Sequence, residues 1–337
     1  MRRRLMKLVA LALGIVLGVA AIALPSRPRA VAFPDGKRFA FSIVDDTDLA
    51  TVERLRPVYD VLDRHGVRTT KTVWVLESTD GAHDANRGET LRDPEYRAFI
   101  KSLQSRGFEI ALHGVRGGSS LRADIRAGLD EFAREMGHYP VTHINHSRNR
   151  DNLYWGSYRF SLLPLRLTGL MMRSGASEGQ DPASAHFWGD LAQKHIRYVR
   201  QFTFDEINLM RMNPSMPYRR ADTPYANLWF QTSNGANLDA FEALLQAENL
   251  DRLEAEGGVC LVYAHLGAGS FNTENGVNPR FEARIRDLVS RNGWFVPAAE
   301  ILDHLSRQPG WTGDIGLLER IRLETRFTVG RALGGGS

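Results

Sequence analysis

Acidic residues and histidines recur in this sequence directly after short apolar segments. Five residues share that position: Asp45, Asp46, His113, His146 and His265. A carboxylate and two neutral imidazoles can bind a divalent metal ion and leave it open positions, as in catalytic rather than structural sites. A second carboxylate or an imidazole can move protons beside such an ion. The residue types therefore indicate metal-assisted hydrolysis.

Each of these residues alone is weak support. An acidic pair after a strand is most often a helix cap, and a single histidine at a strand end is more often structural than a ligand. Their recurrence at one edge of a sheet is what indicates a shared site. His143 and His146 are three residues apart and face opposite sides of a regular strand. We favour His146, which is nearer the carboxyl end, and keep His143 as the alternative ligand, with Asn145 as a polar contact.

Strand-like and helix-like segments alternate from residue 37 onward. The expected strands are 39–44, 67–76, 108–112, 141–145, 197–204, 228–232, 258–264 and 294–297. The expected helices are a first one capped by Asp48 and ending at Gly66, then 94–106, 120–136, 239–253, 278–291 and 298–306. This alternation predicts a parallel sheet with crossover helices, in which catalytic residues lie at the carboxyl ends of the strands.

The first 24 residues have the composition of an export signal. They carry four basic residues and no acid, followed by an apolar run from Leu8 to Leu24. Without them the 43 basic and 39 acidic residues of the chain become 39 of each, so the folded part is neutral and a nucleic-acid partner is not expected. We expect an exported protein, periplasmic or extracellular, with residues 1–32 as a cleaved signal or an N-terminal membrane anchor. Cys260 is the only cysteine and is read as a core residue.

Three segments resemble motifs of the polysaccharide deacetylases, the NodB-homology family of carbohydrate esterases. Residues 41–46 (FSIVDD), 108–114 (FEIALHG) and 261–265 (LVYAH) resemble the first, second and last motifs, and 293–302 resembles the closing strand and helix. The resemblance implies a distorted parallel (β/α) barrel over residues 33–307, with an insertion at about 155–250 and a C-terminal tail at 308–337. It implies a divergent member that removes an acyl group, N-acetyl above all, from an extracellular or cell-envelope glycan.

The resemblance also implies roles for individual residues. Asp45 becomes the catalytic base, His265 assists the leaving group, and Asp46 and His113 bind a divalent metal ion, for which zinc is expected. The family has a second histidine where this chain has Gly117, so His146 is proposed as the replacement ligand. Two more residues are assigned to substrate binding: Trp155, which could stack on a sugar ring, and Arg148, which with Arg150 could also hold Asp45 ionised.

Two other function classes remain open at this point. Gly117 is compatible with a metal-free carbohydrate-binding protein on the same scaffold. A glycosidase with two carboxylates, Asp45 and either Glu109 or Asp205, ranks last because it leaves the histidines without a role. The membrane is expected to be contacted only through the N-terminal segment.

Overall fold

The computed structural model describes residues 25–26, 28, 31–79, 87–162, 166, 177–274 and 276–334. Residues 1–24, the basic and apolar part of the predicted leader, lie outside the described residues. None of the described helices combines the length and the apolar character that a membrane span requires.

Seven parallel strands form a closed barrel, and one further strand extends it. They are β1 (Phe39–Asp45), β2 (Thr70–Val73), β3 (Glu109–Leu112), β4 (Thr142–His143), β5 (Tyr198–Phe204), β6 (Leu228–Asn234) and β7 (Val259–Ala264). The barrel closes because β1 pairs with both β2 and β7. A later strand, β10 (Gly293–Phe295), pairs with the first half of β1. This arrangement confirms the predicted parallel (β/α) barrel. A two-stranded antiparallel ribbon, β8 (Asn272–Thr273) with β9 (Gly276–Val277), lies between β7 and β10 in the chain.

Ten α-helices accompany the strands in the described part of the chain. They are α1 (Val52–Arg64), α2 (Pro94–Ser105), α3 (Arg122–Met136), α4 (Gly189–His195), α5 (Leu209–Met212), α6 (Leu238–Leu244), α7 (Ala247–Ala255), α8 (Pro279–Val289), α9 (Ala298–Ser306) and α10 (Leu317–Gly334). The single helix predicted over 239–253 is wrong, since α6 ends at Leu244 and α7 begins at Ala247.

The predicted cap of α1 is also wrong. The helix begins at Val52, and Thr51 caps it by accepting a hydrogen bond from the backbone amide of Arg54. Asp48 lies four residues before the helix and its side chain is free for another use. The reason is local: Leu49 adopts a left-handed backbone conformation, with φ of 59°, which interrupts the helical path between Asp48 and Thr51.

The burial pattern explains why the strands form a barrel. Every residue of β1 is buried, as expected for a parallel strand covered on both faces. On α1, apolar residues recur with helical spacing and face the barrel, while its charged residues face outward. Two barrel strands, β5 and β6, come from the segment 155–250 that was predicted as an insertion.

The amino-terminal end of the barrel is fixed by a buried acid. Glu109, at the start of β3, accepts hydrogen bonds from the hydroxyls of Thr70 and Thr142, both at 2.6 Å, and from the amide of Ala299 at 3.1 Å. These partners begin β2, β4 and α9. Burial raises the pKa of Glu109, although the three donors act against it. The contacts at this end of the barrel are thus structural, since the predicted catalytic residues lie at the opposite, carboxyl ends of the strands.

The C-terminal helix packs beside the carboxyl end of β5. Phe327 of α10 is buried, with its ring centroid 4.4 Å from that of Phe202. Glu324 is also buried and accepts a hydrogen bond from the amide of Ser161 at 3.0 Å. The predicted tail is therefore attached to the barrel by apolar and polar contacts.

Candidate metal centre and active-site cavity

A cavity of about 330 Å³ opens at the carboxyl ends of the barrel strands. Its lining includes Asp46 after β1, His113 after β3, His146 after β4, Thr203 near the end of β5 and His265 after β7. The volume lies in the range of about 300–1,000 Å³ that is usual for small-molecule sites. Four residues predicted from the sequence thus meet at one site.

Asp48, His113 and His146 form a cluster that could bind a metal ion. Nε2 of His113 lies 3.2 Å from Oδ2 of Asp48, and Nε2 of His146 lies 3.0 Å from Oδ1 of the same carboxylate. One donor atom from each residue lies within 4.8 Å of the others. All three side chains are largely withdrawn from solvent. The carboxylate in this cluster is Asp48. Asp46, the carboxylate ligand that the sequence motif implied, belongs to a second group with Asp48 and His265, whose donor atoms also lie within 4.8 Å of one another.

The electrostatics of the cluster favour the ligand forms of its members. Burial acts to raise the pKa of Asp48, but the hydrogen bonds and charges of His113 and His146 outweigh it, and the net pKa is well below the usual value. Burial lowers the pKa of His113, against the opposing effect of Asp46 and Asp48. An ionised carboxylate beside a neutral imidazole is the state that metal binding requires.

His146, the predicted third ligand, is oriented by Asn149. Oδ1 of Asn149 accepts a hydrogen bond from the backbone amide of Gly118 at 3.1 Å and lies 3.1 Å from Nδ1 of His146. Since the amide fixes this oxygen as an acceptor, Nδ1 of His146 is the donor, and its Nε2 faces Oδ1 of Asp48. The ring of His146 lies edge-on to that of His113, with centroids 5.1 Å apart. The structure thus brings His146 next to His113, and its role as a ligand stays a prediction.

Asp46 is bound by an arginine at the edge of this cluster. Arg200 of β5 donates to both carboxylate oxygens, at 3.0 and 2.7 Å. The guanidinium of Arg200 lies 4.6 Å from the ring centroid of Tyr263. Oδ2 of Asp46 is 3.9 Å from Nε2 of His113. Asp46 therefore lines the cavity beside the cluster, in an orientation fixed by Arg200.

Asp45, the predicted catalytic base, does not line the cavity. It is fully buried, and its Oδ2 lies 2.9 Å from Nζ of Lys71 and accepts a hydrogen bond from the hydroxyl of Tyr59 at 2.9 Å. Its Oδ1 accepts from the amide of Leu266 at 2.8 Å. Successive residues of an extended strand point to opposite sides, so Asp46 and Asp45 cannot both face the site. This placement corrects the role that the motif implied for Asp45.

His265 faces the cavity from the end of β7. Its Nδ1 lies 3.2 Å from the carbonyl oxygen of Ala236, which makes Nδ1 the protonated nitrogen and leaves Nε2 toward the site. Nε2 is 3.2 Å from the hydroxyl of Tyr263 and 3.5 Å from Oδ2 of Asp48. Its position is compatible with the predicted role in proton transfer, which stays a prediction.

The alternative ligand His143 lies away from the cluster. Its Nε2 is 3.2 Å from Oδ1 of Asn145, and its ring packs edge-on to Trp188 at 5.0 Å. Burial lowers the pKa of His143 to about 3, so it is a neutral core residue. Asn145 lines the cavity, and its amide group also fixes the loop by bonding both backbone groups of Leu153.

The two predicted substrate residues, Trp155 and Arg148, both line the cavity. One face of the Trp155 indole is covered by the guanidinium of Arg159, whose central carbon lies 3.2 Å from the ring centroid. Arg150, by contrast, pairs with Glu178 at 2.7 Å and does not reach Asp45. The substrate-binding roles of Trp155 and Arg148 stay predictions.

Several residues of the site were not identified from the sequence. Asp48 was interpreted as a helix cap, although its spacing of two from Asp46 would have placed both side chains on one face of an extended segment. Arg200 lies within a strand that was identified, but nothing local connects it to Asp46. Arg159 and Arg331 line the cavity from segments with no recognisable motif.

The comparisons with known proteins show the fold. No family model and no curated protein matches the sequence. A probable polysaccharide deacetylase from Pseudomonas aeruginosa PAO1 has a similar structure, with 13% sequence identity, coverage of 84% of this chain and 95% of that one, and a TM-score of 0.50. A protein from Mycobacterium smegmatis assigned to the polysaccharide deacetylases shares 17% identity over 83% and 94% of the two chains, with a TM-score of 0.48. The PuuE allantoinase shares 12% identity over 85% and 96%, with a TM-score of 0.47. The resemblance of the motifs is thus confirmed at the level of the fold.

Proposed function

We propose that this protein is a metal-dependent hydrolase that removes an acyl group, N-acetyl above all, from an extracellular or cell-envelope glycan. The observation that carries the proposal is the cluster of Asp48, His113 and His146, which opens into a cavity also lined by Asp46 and His265. The fold similarity to a polysaccharide deacetylase supports it. The sequence of residues 1–32 is the basis for export.

The donor set fits a divalent metal ion. One carboxylate and two imidazoles, with the second nitrogen of His146 held by Asn149, provide three protein ligands and leave positions for water and substrate. Asp48, His113 and His146 would hold the ion. Bound there, a divalent ion supplies Lewis acidity toward the acyl oxygen and toward water. Zinc is the ion that this donor set suits well, and we include it in the proposal.

The chain's own residues provide the proton transfers. Asp46 is oriented by Arg200 and keeps a free lone pair on each oxygen, so it can accept a proton from the attacking water. His265, protonated on both nitrogens, can donate from Nε2 to the departing amine. In sequence, the oxygen of water bonds to the acyl carbon as Asp46 takes one of its protons, His265 protonates the amine nitrogen, the carbon–nitrogen bond breaks, and the carboxylic acid, which keeps the second proton of water, leaves with the amine. Asp46 thereby takes the role that the sequence motif had implied for Asp45.

Matched aspartate variants test the proposal. Asp48→Asn is expected to lose the bound metal, because one of three ligands loses its charge. Asp46→Asn is expected to keep the metal and lose about 10²–10⁴-fold in turnover, the usual contribution of a general base. Asp239→Asn is the control, since Asp239 is exposed and pairs with Arg280 on the surface. Metal content is measured by elemental analysis, and acetate release is measured on a panel of N-acetylated glycans with and without chelator.

Two results would contradict the proposal. If Asp48→Asn binds as much metal as the wild type, the ligand assignment is wrong. If the purified wild-type protein contains no transition metal after growth in replete medium and binds glycans without releasing acetate, the chain is a carbohydrate-binding protein instead. The glycosidase alternative loses support, because Glu109 lies at the amino end of the barrel and Asp45 is held by Lys71.

A further inference from the structure

Arg159 is a cation of the cavity for which the described residues offer no acid. It is the last residue of the short 3₁₀ helix Gly156–Arg159 and lines the cavity, where no carboxylate of the described residues pairs with it. Its Nε is buried and makes no hydrogen bond, and no ion pair joins it to a described acid. Its guanidinium carbon lies 3.2 Å from the ring centroid of Trp155 and 5.6 Å from that of Phe327. The side chain is half-buried, so the guanidinium has lost part of its water without gaining an anion among the described residues, which is costly.

Two buried arginines among the described residues are paired with an aspartate. Arg200 donates to both carboxylate oxygens of Asp46, and Arg220 makes a two-point pair with Asp222 at 3.2 and 2.7 Å. The fold thus supplies acids to these two arginines. Arg159 lines the cavity and pairs with no acid of the described residues.

The charge around Arg159 is positive. Four arginines line the cavity against two aspartates, a surplus of two positive charges before the histidines are counted. Both aspartates are already engaged: Asp46 with Arg200, and Asp48 with the two histidines of the cluster. Burial, and then the charges of Arg200 and Arg331, lower the pKa of Arg159. An arginine nonetheless stays protonated in proteins, so the cavity presents a positive wall to its ligand.

We propose that Arg159 binds a carboxylate on the glycan, so that the substrate is an acidic, acylated polysaccharide that contains uronic acid. This inference rests on the proposed function and adds the substrate class. A separation of 3.2 Å from the indole centroid requires the guanidinium plane to lie face to face with Trp155, which leaves its edge to point into the cavity. That edge matches the two oxygens of a carboxylate. A neutral glycan would leave the charge of Arg159 buried and unpaired.

Two tetrasaccharides of equal length test the inference. Hyaluronan tetrasaccharide alternates N-acetylglucosamine with glucuronate, whereas chitotetraose is N-acetylated and neutral. Binding of each is measured by calorimetric titration of the full-length protein in chelator, so that no carboxylate can bind a metal ion. We expect hyaluronan to bind about 10- to 100-fold more tightly, the value of a charged hydrogen-bonded pair. Inorganic phosphate and acetate are titrated as competitors, to distinguish a tetrahedral from a planar anion.

Three variants locate the effect. Arg159→Gln is expected to abolish the preference for hyaluronan. Arg159→Lys is expected to retain a preference of about threefold to tenfold, because it keeps the charge but not the two-pronged guanidinium. Arg56→Gln, on the exposed face of α1, is expected to leave the preference unchanged. Arg159→Lys carries the test if Arg159→Gln does not fold. Equal binding of the two sugars by the wild type, an unchanged preference in Arg159→Gln, or displacement of hyaluronan by phosphate at lower concentration than by acetate would each overturn the inference.

The design separates this inference from the proposed function. If the preference for hyaluronan is found and depends on Arg159, but metal-loaded protein releases acetate from no glycan, then the anion site stands and the hydrolase proposal fails. If metal-loaded protein releases acetate from both tetrasaccharides at equal rates and the metal-free protein shows no preference, the hydrolase stands and the acidic substrate is wrong.

Discussion

Replacing Lys71 with methionine is expected to destabilise the whole barrel, because it leaves the carboxylate of Asp45 in the core without its cation. Both side chains are fully buried, and Nζ of Lys71 lies 2.9 Å from Oδ2 of Asp45. Burial, and then the charge of Asp45, raise the pKa of Tyr59, so the phenol stays protonated and donates to the carboxylate. That hydrogen bond and the one from Leu266 remain in the variant, but neither donor carries a charge.

The expected loss of unfolding free energy is the difference between the wild type and Lys71→Met. The hydrogen bonds from Tyr59 and Leu266 are common to both and cancel, so the loss is that of one member of a buried ion pair, about 3–5 kcal/mol. In a protein of this size that corresponds to a fall in Tm of about 4–7 °C. Asp45→Asn leaves Lys71 buried and unpaired and should lose a similar amount. The double variant should lose less than the sum, by about 2–3 kcal/mol.

A surface pair with the same separation is the control. Arg64 and Glu282 are also 2.9 Å apart, but their side chains are 60% and 31% exposed. Arg64→Gln should therefore cost less than about 1 kcal/mol. Free energies of unfolding are obtained from urea titrations followed by tryptophan fluorescence, and Tm by calorimetry. The comparison isolates burial, since the distance is the same in both pairs.

Two outcomes would refute this reasoning. Equal losses in Lys71→Met and Arg64→Gln would mean that burial does not control the energy of these pairs. An Asp45→Asn protein that keeps the wild-type Tm but loses all turnover would mean that Asp45 acts in catalysis, as the sequence motif implied, rather than in stabilising the barrel. Retained turnover at temperatures below the lowered Tm supports the structural role.

Two other predictions concern sites away from the cavity. The pKa of Glu109 is raised in the folded protein above its ordinary value of 4.5, so the folded state holds the proton more tightly. The stability that this provides is present below about pH 4.5 and is lost as the pH rises through the folded pKa. Glu109→Gln should therefore gain stability relative to the wild type from pH 4 to 7 in urea titrations, and a difference in unfolding free energy that does not change with pH would contradict this. Gly128→Ala would place a Cβ 2.7 Å from the side chain of Val115 and should cost about 1–3 kcal/mol of stability. Gly330→Ala, inside α10, would place a Cβ with no atom within 4 Å and should raise stability by up to about 1 kcal/mol. If calorimetry shows changes of the same sign for both variants, these two predictions are contradicted.

The barrel could be predicted because its signals are local. Each strand is a short apolar run, and each helix between strands repeats apolar residues on one face, so element types and order follow from nearby residues. The boundaries were less accurate: β2 is Thr70–Val73 where 67–76 was expected, since only part of this β-branched and aromatic segment pairs with a neighbouring strand. The segment 155–250 was interpreted as an insertion because its two strands are separated by long stretches rich in polar residues, yet β5 and β6 are needed to close the barrel.

The site could be predicted only in part, for a geometric reason. His113, His146 and His265 follow strands, and parallel strands place their ends together, so their convergence was predictable. The choice among Asp45, Asp46 and Asp48 depends on which side of the chain faces the cavity, and that is decided by Lys71 and by the turn after Asp46. A shift of one residue exchanges the inward and outward faces of an extended segment. The motif placed the base at Asp45 and the carboxylate ligand at Asp46, whereas the proposed base is Asp46, one position later, and the proposed ligand is Asp48, two positions later.

The substrate side of the cavity belongs to segments that no motif covers. Arg159 and Trp155 come from the loop after β4, and Phe327 and Arg331 come from α10. In a barrel of this kind the strand ends fix the chemistry, while loops and added helices vary around them. Similarity of fold therefore indicates the end of the barrel at which the site lies, but not the charge of the substrate. The unpaired guanidinium of Arg159 is a property of this chain's own loop, and for that reason the preference between an acidic and a neutral glycan has to be measured on this protein rather than inferred from proteins with a similar barrel.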